Sequence, residues 1–213
     1  MKKKEIHDID KLFSLAARKQ NKAYCSTNKM KEFLKNKGAN KNEIKIVINK
    51  LERYSLLNED ELVQSILETC DKKHYGYKKI ISMLKERQID PKPIRKIKRN
   101  ESRELLQCKL MLETLNKRYK NVNTLNLKRK VYSALIRYGF DENLASEASS
   151  SLHKSHQEEL NVLKLDYSRR IPSIKRKVKP HELENKMTKL LLARGYHIDD
   201  IRKVLEENNI WNG

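Results

Sequence analysis

Glycine and proline are scarce in this sequence, with five and four residues among 213. Sheet-rich folds of this length need more turn residues than that, so the scarcity excludes most β architectures. Aromatic residues make up only 6% and hydrophobic residues 38%, which leaves a lean core. The three cysteines, Cys25, Cys70 and Cys108, are too few and too widely spaced for a disulfide framework or a CxxC metal site. Each is expected as a buried thiol in a reducing compartment. No apolar run is long enough to span a bilayer, and the basic start Met1-Lys2-Lys3-Lys4 has no apolar stretch behind it. A soluble, cytoplasmic chain with no membrane partner is expected.

Recognisable catalytic patterns are missing too. There is no P-loop, GxGxxG, HExxH or GxSxG. His153 and His156 lie three apart on an expected helix, yet no carboxylate or cysteine at suitable spacing completes a metal set. No catalytic residue, no cofactor and no metal is expected, so the chain reads as a binder and not an enzyme.

What the sequence has in abundance is positive charge. The formal net charge is +20 and charged residues make up 36% of the chain. Such charge repels itself and opposes compaction. A polyanion is the usual reason to tolerate it, and nucleic acid is the commonest polyanion. The plainer alternative is lysine-rich usage spread over every solvated face.

A repeat runs through the chain at intervals of roughly 50 residues. Its units align on Gly38, Gln88, Gly139 and Gly195. One apolar place before the turn holds Met30, Ile80, Val131 and Met187, and the next holds Phe33, Met83, Ala134 and Leu190. A third is always leucine, in Leu34, Leu84, Leu135 and Leu191. After the turn come Ala39, Ile89, Phe140 and Tyr196, then Ile44, Ile94, Ala145 and Ile201, then Val47, Ile97, Ala148 and Val204. These spacings place the first three residues of each set on one helix face. Glycine four residues after the leucine suits the left-handed position that ends a helix. Asn40, Asp90 and Asp141 are candidate N-caps of the following helix, and Pro91 suits a first helical position. Only Gln88 breaks the pattern.

A further helix precedes each pair, over Ile9–Lys19, Glu59–Asp71, Ser102–Tyr119 and Ala145–Arg169, the last merging with the helix before it. Asn58 followed by Glu59-Asp60-Glu61 is a strong helix start. The expected fold class is all-α, an elongated array of tandem three-helix repeats over residues 1–54, 55–100, 101–152 and 153–213. Lys92–Asn100 and Ile171–Pro180 are expected connectors, the second bracketed by Pro172 and Pro180. Basic residues gather in and near them. Lys96, Lys98, Arg99, Lys117, Arg118, Lys128, Arg129, Lys130, Lys175, Arg176 and Lys177 are the candidate contacts, with Tyr119, Tyr132 and Tyr138 close by.

The stretch Leu56-Leu57-Asn58-Glu59-Asp60-Glu61-Leu62, then Gly76-Tyr77-Lys78-Lys79-Ile80, Leu84 and Ile89-Asp90, resembles the RecX family of recombination regulators. Leu34, Lys37-Gly38 and Ile44 resemble that family's first helix pair. Arg137-Tyr138-Gly139-Phe140 and Ala193-Arg194-Gly195-Tyr196 resemble its recurring turns. The chain departs from the family at Ser55, Glu59, Leu62-Val63 and Gln88. The resemblance implies a monomeric bacterial modulator in the cytoplasm, bound to RecA recombinase filaments on DNA. It implies inhibition of ATP hydrolysis and strand exchange, in DNA repair and the SOS response. Single- or double-stranded DNA is an implied partner as well. A directly DNA- or RNA-binding, repressor-like protein is the alternative, with a helix–turn–helix over Met30–Val47 or Val131–Ala148.

Overall fold

The protein is described by a computed structural model over residues 7–208; the basic start Met1–Lys4 lies outside them. Among the described residues every regular element is an α-helix. The order is α1 (Ile9–Lys22), α2 (Thr27–Lys35), α3 (Lys41–Arg53), α4 (Glu59–Lys72), α5 (Tyr77–Glu86), α6 (Pro91–Lys96), α7 (Glu101–Arg118), α8 (Thr124–Arg137), α9 (Glu142–Ser150), α10 (His156–Lys175), α11 (Pro180–Ala193) and α12 (Ile198–Glu207). None of them is long and apolar enough to cross a membrane.

Local chemistry sets the helix boundaries. Asp8, Ser26, Asn40, Asn58, Asp90, Asp141 and Ser155 each accept a backbone N–H of the helix that follows. Each satisfies one of the donors that a helix start leaves unpaired. The turns carry the opposite signature. Gly38, Gln88, Gly139 and Gly195 all have positive φ, between 56° and 90°. In three of them the next amide reaches back to the repeat leucine: Ala39 to Leu34 O, Ile89 to Leu84 O and Tyr196 to Leu191 O, at 3.1–3.3 Å. That is the Schellman closure expected of a left-handed helix end. Ser55 and His74 end α3 and α4 in the same left-handed way.

The chain forms two compact units. The first holds the residues up to Gln107 together with Tyr138–Phe140; the second holds Cys108–Arg137 and the residues from Asp141 on. In the first unit, α1, α2 and α3 share a core of Leu12, Ala16, Met30, Leu34, Val47, Ile48 and Leu51. There α4 and α5 build a second core from Leu62, Val63, Ile66, Cys70, Ile80 and Leu84, against which Ile94 and Ile97 pack. In the second unit α10, α11 and α12 enclose Val162, Leu163, Leu183, Met187, Leu191, Ile201, Val204 and Leu205. The repeat leucines Leu34, Leu84, Leu135 and Leu191 are all fully buried. Each contributes roughly 1.5–3 kcal/mol by leaving water. All three cysteines are buried thiols.

Three expectations need correction. The helix expected over Ala145–Arg169 is two helices, α9 and α10. Ser155 breaks it with a capping box: its Oγ accepts the Glu158 amide, and the Glu158 carboxylate accepts the Ser155 amide at 2.8 Å. His153 therefore lies in the preceding loop, with His156 opening α10. The connector expected at Ile171–Pro180 is helical in its first half. α10 runs through Pro172 to Lys175, although the proline removes the N–H that the Ser168 carbonyl would accept, and Pro180 opens α11 at a first helical position where its missing N–H costs nothing. Lys92–Asn100 is helical as far as Lys96, because Asp90 caps α6 and Pro91 starts it.

Candidate nucleic-acid interface

The candidate basic residues divide between the two units. In the first unit, Lys96 closes α6 and Lys98 is exposed on the stretch before α7. Arg99 is otherwise engaged. Its Nε donates to the Glu104 carboxylate at 2.5 Å, and the Glu104 side chain is only 3% exposed. A buried carboxylate needs that partner, so Arg99, although itself exposed, is committed to Glu104.

In the second unit, Lys117 and Arg118 form the last turn of α7, and Lys128, Arg129 and Lys130 lie mid-way along α8. Helical spacing puts Arg129, Lys130, Ser133 and Arg137 on one face. They line a shallow recess of about 320 Å³ with Tyr119 at its edge. Lys130 Nζ sits 5.4 Å from the centre of the Tyr119 ring, a cation–π contact. The recess thus combines several cations with an aromatic face, the two parts a single-strand contact uses. Lys128, Lys117 and Arg118 do not line it. Lys175, Arg176 and Lys177 are exposed at the end of α10, where Arg176 Nε donates to Pro172 O at 3.1 Å.

Lys130 also borders a tighter cavity of about 220 Å³ lined by Asn121, Asn123, Asn126, Asp166, Arg194 and Tyr196. Asn123 is buried, and its Nδ2 donates to Arg194 O at 2.7 Å. Asp166 gathers three donors: Arg170 Nε at 2.9 Å, Arg194 Nε at 2.5 Å and the Tyr196 hydroxyl at 3.3 Å. Burial alone would raise the Asp166 carboxyl, but the hydrogen bonds and charges of Arg170 and Arg194 outweigh it and hold it below its usual range. Burial, with Asp166 beside it, pushes the Tyr196 phenol far up. Tyr196 is therefore neutral at any physiological pH, and the network serves to lock the α11–α12 turn. Of the other flagged tyrosines, Tyr132 is exposed on α8, and Tyr138 stacks on Tyr75 in the first unit with centroids 5.8 Å apart.

Sequence reasoning missed Arg137 as a recess residue, although its helical spacing from Arg129, Lys130 and Ser133 carries the signal. It also missed how successive turns are tied. The cap residue of α2, Ser26, donates its Oγ to Arg87 O at 2.6 Å, and Asn28 Nδ2 reaches Gln88 O at 3.0 Å. The cap residue of α5, Gly76, donates its amide to Tyr138 O at 2.9 Å, and Lys78 N reaches Gly139 O at 3.0 Å. Asn123, before α8, reaches Arg194 O. In each case the start of a helix binds a turn about 60 to 70 residues further along the chain.

No family model matches this chain, and no curated protein matches it by sequence. Among solved structures, the crystal structure of RecX from Lactobacillus salivarius matches it with a TM-score of 0.53 and 20% identity, over 68% of this chain and 96% of that one. The chain has a RecX-like fold. At that identity the likeness is one of fold, which by itself does not fix function.

Proposed function

We propose that this protein is a non-enzymatic regulator of the RecX kind. It binds RecA filaments on DNA and restrains their ATP hydrolysis and strand exchange. It acts in the bacterial cytoplasm as a monomer. The observation that carries this reading is the RecX-like fold, which spans nearly the whole of the solved relative. The large positive charge and the Tyr119–Arg129–Lys130–Arg137 recess support it, because a DNA-loaded filament is a phosphate-bearing surface. In this reading the chain comprises four three-helix repeats, over residues 1–54, 55–100, 101–152 and 153–213. The common helix–turn chemistry and the cap-to-turn hydrogen bonds support that division. Weak contacts repeated along one filament would add through effective concentration.

The test is the DNA-dependent ATP hydrolysis of RecA with and without this protein. Inhibition at or below one protein per recombinase is expected; unchanged hydrolysis at stoichiometric excess refutes the reading. A second reading, direct DNA or RNA binding without RecA, draws on the same recess. Sequence-specific capture of an oligonucleotide by the protein alone, at physiological salt, would favour it.

A further inference from the structure

The first unit carries a groove that the nucleic-acid reading does not use. It lies between α2 and α3 and encloses about 680 Å³. Ile44 and Ile48 form its floor, and Lys31, Lys35, Lys41 and Lys45 stand around it. The arrangement follows from helical spacing. Thr27, Lys31 and Lys35 recur every four residues along α2, and Lys41, Ile44, Lys45, Ile48 and Glu52 form one stripe along α3. The stripe runs for about 16 Å, the length of roughly three helical turns. Ile48 is buried in the core, while Ile44 is half-buried and presents its remaining surface to the groove. The lysines are exposed, and none makes an ion pair with a carboxylate among the described residues.

We infer that this groove is a docking site for a protein segment, an acidic amphipathic helix. Apolar side chains at helical spacing settle on Ile44 and Ile48, and carboxylates on both flanks meet the four lysines. Two features favour a peptide over a nucleic-acid strand. The floor is aliphatic, whereas a phosphate backbone gains nothing from burying isoleucine. Glu32 and Glu52 also stand on the rim, where they would repel phosphates but tolerate a helix whose charges lie in defined places. Glu32 is held there by Gln88 Nε2 at 3.4 Å. The mode is helix-in-groove recognition: apolar anchors supply affinity and the lysines supply selection. This inference stands apart from the regulatory reading and survives its failure.

The experiment uses the full chain and a fluorescent, capped helical peptide built of Glu-Glu-Leu-Leu repeats, followed by anisotropy at physiological salt. Micromolar binding is expected, about tenfold weaker when glutamine replaces the glutamates of the peptide. The double variant Lys35→Glu/Lys45→Glu should lose about tenfold or more, and Ile44→Gln, checked as folded by circular dichroism, should lose a similar factor. Neutralising Arg129 and Lys130 in the second unit should leave peptide binding unchanged. Absence of peptide binding overturns the inference. So does an equal loss from the second-unit variant, which would mean nonspecific charge attraction. Oligonucleotide binding that disappears with the Lys35/Lys45 variant, with no peptide binding, would reassign the groove to nucleic acid.

Discussion

Gly76 and Gly139 meet backbone to backbone in the first unit, so closely that neither has room for a side chain. A methyl group on Gly76 would lie 2.6 Å from the Phe140 nitrogen, and one on Gly139 would lie 2.8 Å from the Lys79 Cα. The contact explains why α5 has no side-chain cap. The Gly76 amide donates to the Tyr138 carbonyl and the Lys78 amide to the Gly139 carbonyl, which a side chain would push away, while the Tyr77 amide reaches Glu104 Oε1 at 3.4 Å.

The two glycines are constrained differently, and that gives a prediction. Gly139 has a φ of 86°, so Gly139→Ala adds left-handed strain to the collision. A loss of about 2–4 kcal/mol is expected in chemical denaturation. Gly76 has an ordinary φ of −73°. Gly76→Ala should cost only the collision, about 1–3 kcal/mol. Equal, negligible effects at both sites would show that the contact is not formed in solution.

Gln88 stands at a left-handed turn, with a φ of 56°, where Gly38, Gly139 and Gly195 stand at the aligned turns. Gln88→Gly should therefore stabilise the protein by up to about 1 kcal/mol. The gain is trimmed by loss of the weak 3.4 Å contact to Glu32. Gln88→Ala is the control: it loses the same contact and keeps the strain. Stabilisation by alanine and not by glycine would contradict the assignment.

Much of this architecture was legible because it is written in short-range chemistry. Asn40, Asn58, Asp90 and Asp141 mark helix starts through their own side chains, and the four aligned turns all proved left-handed, Gln88 included. Ser155 and Glu158 carried an equally local signal that was overlooked in favour of a merged helix. The ties from Ser26 to Arg87, Gly76 to Tyr138 and Asn123 to Arg194 were not legible, because their acceptors are backbone carbonyls that every residue type possesses. Arg99 illustrates the same limit among charges. Sequence shows a cation, and only the fold shows Glu104 beneath it.

The Asp166 network should make stability depend on acidity. The folded-state carboxyl lies below its ordinary value of 3.8. Its contribution is therefore fully present above that value and is lost as pH falls through the folded-state value. Asp166→Asn removes the charge that Arg170 and Arg194 share. It should cost about 1–3 kcal/mol at pH 7, where the side chain is only 13% exposed. As pH falls through the folded-state value the variant and the parent should converge. A difference that stays constant across that range would mean that packing, not charge, accounts for the loss.

Contact and core roles on α8 can be separated by one pair of measurements. Leu135 is fully buried, so Leu135→Ala should cost about 2–5 kcal/mol. Arg129 and Lys130 are exposed, so Arg129→Gln/Lys130→Gln should leave stability within about 0.5 kcal/mol. Single-stranded DNA binding should respond in the reverse sense. Each lost phosphate contact on a single strand lowers the slope of log affinity against log salt by about 0.7, so the double variant should lose about 1.4. The leucine variant, measured at a temperature where it remains folded, should keep the parental slope. If neutralising Arg129 and Lys130 leaves the slope unchanged, phosphates do not sit in the Tyr119 recess, and the basic interface must be sought elsewhere among the remaining cations.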